Sequence, residues 1–157
     1  MTFQIVQARP EDAESVATLV GELLQEIMET VQDKAFGFHH DDTVVRARSW
    51  LKDGLYTVLL AHEGGEPLGF LALYESLALY TEGAYGTIPE FYVRPAHRSK
   101  GVGAALLEEA RRLGQSRGWR RLEVTTPPLP QFDRTMTFYQ RKGFSLSGGR
   151  KLKLDLR

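Results

Sequence analysis

The sequence predicts a single mixed α/β (α+β) domain over residues 1–157, a mixed sheet with helices on its faces. Two observations carry this. At 157 residues, 42% hydrophobic and 25% charged, the chain is long and apolar enough to bury one core without staples. Its periodic segments run in the order β, α, α, three β, α, β, α, β, with no repeat, linker or low-complexity stretch between them.

Phe3 and Ile5 mark a first short strand. Pro10 then suits a first helical turn, and Glu11 and Asp12 suit its positive end. Ala13, Val16, Val20, Leu23, Ile27 and Val31 recur every three or four residues and form one apolar helix face. The segment QDKAFGFHHDD, Gln32 to Asp42, breaks that period; it reads as a surface connection, or alternatively as an aromatic-bearing lid. A second helix follows in DTVVRARSWLKDG and closes at Gly54.

YTVLLAHEGGEPLGFLALYES is two β-rich runs around a hairpin turn at Gly64 and Gly65, and GTIPEFYV is a third run. Three consecutive strands therefore lead into a glycine-rich segment. Val102, Leu106, Ala110 and Leu113 then share one helical face, and Gly118 stands at the expected left-handed C-cap. WRRLEVTT predicts a strand, PPLP forbids regular structure, DRTMTFYQRKG predicts a short helix stopped by Gly143, and KLKLDLR alternates as a half-buried strand does.

Twenty basic and twenty acidic residues cancel, so no global field draws the chain to nucleic acid or an anionic membrane. No cysteine is present, which removes thiolate metal sites and cysteine nucleophiles. No window holds the roughly 18 apolar residues of a membrane span, and the N-terminus lacks the pattern of a secretory signal. The expectation is a cytoplasmic protein.

The segment HRSKGVGAALL joins a basic turn to a helix start. A helix N-terminus leaves backbone N–H groups unpaired and carries about half a positive charge. Glycines let a ligand approach the backbone, and Arg98 and Lys100 add charge, so the segment suits a phosphate or diphosphate.

These residues resemble the Arg/Gln-x-x-Gly-x-Gly/Ala loop of the GNAT superfamily of N-acetyltransferases. TFYQRKGF, Thr137 to Phe144, is similar to that family's Phe-Tyr-x-x-x-Gly-Phe signature. The resemblance implies one GNAT-type domain with a mostly antiparallel central sheet, and acetyl-CoA as co-substrate. By the same resemblance, Arg98, Ser99, Lys100, Gly101, Val102, Gly103 and Ala104 hold its pyrophosphate. Phe91, Tyr92 and Val93 bind the pantetheine arm through the main chain, and Phe138 packs beside the cofactor. Two departures stand out. Phe132 and Thr135 replace the common Asn and Ala, so the pantetheine contact usually made by that Asn lacks its side chain, and Ser99 replaces a frequent Gly.

Acetyl transfer to an amine needs a neutral nucleophile, a polarised carbonyl and support for the departing thiolate. An alkyl ammonium of pKa near 10.4 must lose a proton, and Glu90 is the candidate base; the alternative reading is a solvated strand carboxylate. Tyr139 is the candidate partner of the leaving sulfur, by hydrogen bond more readily than by full proton transfer; its alternative is a core aromatic. Tyr74, Tyr80 and Tyr85 read equally as acceptor-pocket residues or as strand aromatics covering the core.

Other readings fit less well. A dinucleotide fold has Gly101-Val102-Gly103 after a strand, but Leu106 occupies the third glycine position and no second half follows. FHHDD places adjacent residues that rarely converge on one ion, so no metal is expected. RRLGQSRGWRR reads as a solvated helix end, not a nucleic-acid patch. The acceptor is expected to be a small-molecule or peptide amine, and the family resemblance allows a homodimer. The alternative of another class is a GNAT-fold module that binds acetyl-CoA without catalysis.

Overall fold

A computed structural model of the chain describes residues 2–34 and 36–157; Ala35, inside the connecting segment after the first helix, lies outside them. The chain divides into two compact units, Met1–Thr125 and Thr126–Arg157.

Among the described residues the first unit holds six strands: β1 (Gln4–Gln7), β2 (Thr57–Glu63), β3 (Glu66–Ala78), β4 (Gly83–Ile88), β5 (Phe91–Val93) and β6 (Leu122–Val124). They form one sheet in the order β1-β2-β3-β4-β6, with β5 paired to β3 beyond the end of β4. Every pairing is antiparallel except β4 with β6. The mixed, mostly antiparallel sheet expected from the sequence is thus what forms.

Helix α1 (Ala13–Val31) buries Ala13, Val16, Ala17, Leu19, Leu23 and Ile27, close to the predicted stripe, with Leu19 taking the place of Val20 as the fully buried residue. Helix α2 (His40–Lys52) is more polar and buries Val44 in a small cluster with Ala13 and Ala17 of α1. Helix α3 (Val102–Ser116) buries Val102, Leu106, Leu107, Ala110 and Gly114. The central strands supply Val58, Leu68, Phe70, Leu71 and Leu73. Each such aliphatic side chain contributes roughly 1.5–3 kcal/mol relative to exposure. The β2–β3 hairpin turns at Gly64 and Gly65, both at positive φ, which a side chain rarely adopts.

Three elements differ from expectation. GTIPEFYV is not one strand: Pro89 carries no N–H for a ladder, the chain kinks at Pro89-Glu90, and the run splits into β4 and β5. Four consecutive strands, β2 to β5, therefore lead into the glycine loop. WRRLEVTT shortens to Leu122–Val124, because the Trp119 ring is buried over Gly86 and Gly114 while its indole N–H donates to Glu75 at 2.8 Å. KLKLDLR forms no strand; Leu152, Leu154 and Leu156 are exposed, and no strand pairs with the segment among the described residues. The second unit contains α4 (Asp133–Arg141), followed by Gly143 at φ 99° as its stop.

Candidate active site

The glycine loop begins where β5 ends. After a 3-10 turn at Pro95–His97, Ser99 takes φ 62° and Gly101 takes φ 86° before α3 starts. Two left-handed residues in three steps turn the chain sharply and aim successive amides outward. The left-handed conformation of Ser99 gives a physical reason for glycine being frequent there in the resembling loops: a Cβ costs roughly 1–2 kcal/mol in that region. The first helical bond runs from the Ala105 N–H to the Gly101 carbonyl at 3.0 Å, so the Val102, Gly103 and Ala104 amides precede the ladder at the positive end of α3.

Basic side chains around this turn are tied to α1. Arg94 makes a two-pronged pair with Glu22, Nε to Oε1 at 3.0 Å and Nη2 to Oε2 at 2.9 Å. Its third nitrogen donates to Glu66 and the Pro67 carbonyl, both at 2.9 Å. Arg98 donates to Glu26 and to the Val93 carbonyl, each at 2.7 Å, and lies over the Tyr92 ring. Much of the Arg98 charge is thus spent holding the loop against α1. Ser99, Lys100 and Gly101 are exposed.

The kink at Pro89-Glu90 separates β5 from β6. Pairing between β4 and β6 runs through Ile88 and Val124, whereas Phe91–Val93 pair with Leu71–Gly69 of β3. Hydrogen bonds from Ala72 to the Glu90 carbonyl and from Arg94 to the Leu68 carbonyl, both N–H to O, show that even-numbered residues bond to β3. Phe91 and Val93 therefore turn their main-chain groups away from β3, on the side where the Val93 carbonyl accepts from Arg98.

Glu90 stands at that kink. The residue is half-buried, and protein encloses its carboxyl, which pushes the pKa above the usual carboxylate value; a hydrogen bond from the Tyr56 hydroxyl to Oε1 at 2.5 Å lowers it in part. Burial, with the Glu90 charge beside it, raises the Tyr56 pKa strongly, so Tyr56 is the donor in this pair. Tyr56 lies between two further rings. Trp50 of α2 is tilted against it at 5.2 Å, and Tyr74 of β3 stacks on it at 6.2 Å with an interplanar angle of 14°. Sequence reasoning missed Trp50 and Tyr56, because their neighbour Glu90 is distant in the chain; the one local signal was an aromatic just after the helix stop at Gly54. Of the three tyrosines singled out from the sequence, Tyr74 joins Glu90's group, whereas Tyr80 and Tyr85 lie under the Arg121 guanidinium at 5.5 and 5.3 Å.

Phe38 and His40 pack on α1. A Cβ on Gly21 would meet the Phe38 ring at 2.8 Å, and His40 Nε2 lies 2.6 Å from Glu14 Oε1. Among the described residues, no group of three His, Asp or Glu side chains is placed to hold a metal ion.

In the second unit, Tyr139 of α4 is 6% exposed and lies edge-on between Phe138 at 5.7 Å and Phe144 at 5.4 Å. Burial pushes its phenol up from the ordinary value, so it stays protonated across the working pH range.

Against known proteins, residues 24–144 match the model of the acetyltransferase (GNAT) family. The chain belongs to the GNAT acetyltransferase family. Among solved structures it is similar to the integron cassette protein HFX_CASS3 from the mobile metagenome of Cole Harbour Salt Marsh. That match is at 28% identity over 98% of this chain and 91% of the other, with a TM-score of 0.80. It shares the fold of the aminoglycoside acetyltransferase meta-AAC0020 from an uncultured soil metagenomic sample, solved with sisomicin, at 17% identity, 99% and 97% coverage and a TM-score of 0.80. It also shares the fold of a predicted acetyltransferase from Clostridium acetobutylicum solved with acetyl-CoA, at 16% identity, 99% and 97% coverage and a TM-score of 0.78. No curated protein matches.

Proposed function

We propose that this chain, acting as one domain, moves the acetyl group of acetyl-CoA to a primary amine by direct attack on the thioester. The observation that carries the reading is the continuity from the β5 edge at Phe91–Val93 into the left-handed turn at Ser99 and Gly101 and the amides of α3. That path suits a pantetheine arm held through the main chain and a diphosphate at a helix N-terminus. A structural relative solved with acetyl-CoA supports the choice of donor.

In this reading Arg98, Ser99, Lys100, Gly101, Val102, Gly103 and Ala104 form the diphosphate turn, with Arg98 acting mainly as its brace. Phe91 and Val93 face the arm while Tyr92, bonded to β3, anchors the strand between them, and a backbone N–H of this segment polarises the thioester carbonyl. The amine lone pair attacks the carbonyl carbon, and its proton passes to Glu90 directly or through water. The C–S bond then breaks with its electron pair on sulfur. A carboxylate whose pKa burial has raised is a stronger base than a solvated one, which favours Glu90 in this role. The family signature supports Tyr139 as a hydrogen-bond donor to the departing thiolate, with Phe138 packing beside the cofactor; a phenol raised by burial keeps its proton. The proposed location is the cytoplasm, on the sequence grounds given above.

The direct test is release of free thiol from acetyl-CoA against a panel of primary amines. Amine-dependent release with the acetylated amine as product is expected. Cofactor binding with no acetylation of any amine would instead make the chain a binding module.

A further inference from the structure

Three aromatic side chains from three elements form one group, Trp50 from the last turn of α2, Tyr56 from the turn before β2 and Tyr74 from β3, and the central one, Tyr56, donates to the Glu90 carboxylate. The outer two rings, Trp50 and Tyr74, are each 37% exposed, while the central Tyr56 is half-buried and bound to Glu90. A core cluster would bury the outer rings and leave out the carboxylate. A solvated face would not gather three rings from separate segments. What this group offers a ligand is flat π surface beside a single acidic group, one oxygen of which Tyr56 already engages.

That chemistry is selective. Aromatic faces attract an ammonium and stack a second ring, so they reward an amine whose nitrogen sits close to an aromatic group. A polycationic sugar requires several acceptors for its ammonium groups, and the group described here contributes one. We infer that the acceptor is a primary amine joined by a short link to an aromatic ring, the ring lying on this aromatic group and the nitrogen beside Glu90. This rests on the transfer reading above and names the substrate class of the same site.

The test uses the full chain with acetyl-CoA and compares 2-phenylethylamine, propylamine and sisomicin. For 2-phenylethylamine, kcat/KM should exceed that for propylamine by tenfold or more, since stacking and cation–π contact are together worth about that factor. Tyr74→Ala and Trp50→Ala should each collapse the preference toward parity by raising KM for the aromatic amine, while Trp50→Phe retains it; thermal melting checks that the variants fold. Equal or better turnover of propylamine or sisomicin, or a preference intact in Tyr74→Ala, overturns the inference and leaves the transfer reading standing. If no amine reacts, calorimetry decides. Heat from 2-phenylethylamine binding that disappears in Tyr74→Ala sustains the aromatic subsite and sinks the transfer reading, whereas no binding sinks both.

Discussion

Gly69 sits where β3 faces β5, and replacing it by alanine tests whether that contact positions β5, the strand proposed to hold the cofactor. A Cβ there would stand 2.5 Å from the Tyr92 carbonyl oxygen and 2.9 Å from the Val93 Cα, both backbone atoms. Ordinary contact begins at 3.4 Å, so β5 must retreat by about 0.9 Å or β3 must distort. Overpacking of this kind costs about 1–3 kcal/mol, and at this chain length each kcal/mol lowers Tm by about 2–4 °C. Gly69→Ala should therefore melt about 2–12 °C lower. Function should suffer more than stability, because a misplacement of about 1 Å in a positioning strand costs on the order of a hundredfold in rate. Gly37→Ala, with nothing within 4 Å of its added methyl, is the control. Thermal melting by circular dichroism and steady-state thiol release measure both effects. A Gly69→Ala variant with wild-type Tm and turnover would refute the claim that β3 sets the place of β5.

Tyr56→Phe removes the hydrogen bond that favours the charged form of Glu90, so the Glu90 pKa should rise further and the acid limb of kcat/KM should move to higher pH. A limb that stays in place or moves down would separate Glu90 from the titration. Ser99→Gly should keep or raise stability by up to about 1 kcal/mol, since relief of the left-handed strain outweighs the added chain entropy, while Ser99→Val should lose stability in chemical denaturation. Equal stability of the two variants would speak against a left-handed Ser99. Tyr139→Phe should lower kcat by roughly ten- to ten-thousandfold with affinity for acetyl-CoA retained, and unchanged kcat would end its proposed role.

Much of this architecture was legible in the sequence, and what was not has a physical cause. The stripes of α1 and α3 were readable because a helix face repeats every three to four residues, and the β2–β3 turn because Gly64 and Gly65 demand positive φ. The turn before α3 was legible because its glycines, basic residues and helix start are contiguous. The split at Pro89-Glu90 carried a signal in the proline, yet continuous β-rich residues on both sides concealed it. Alternation in KLKLDLR records only that a strand with one apolar face is available; it says nothing of a partner edge, and those leucines stay exposed. Trp119 looked like a strand opener, but two glycines distant in sequence, Gly86 and Gly114, make the hollow that takes its ring. The Tyr56–Glu90 bond, like the ring group around it, joins segments that no local pattern connects.

The most direct measurement is a crystal structure of the chain grown with acetyl-CoA. Diphosphate oxygens should lie at hydrogen-bond distance, about 3 Å, from main-chain amides between Gly101 and Ala104, with the pantetheine arm running along Phe91–Val93. Density for the coenzyme elsewhere, with the start of α3 bare, would contradict the account.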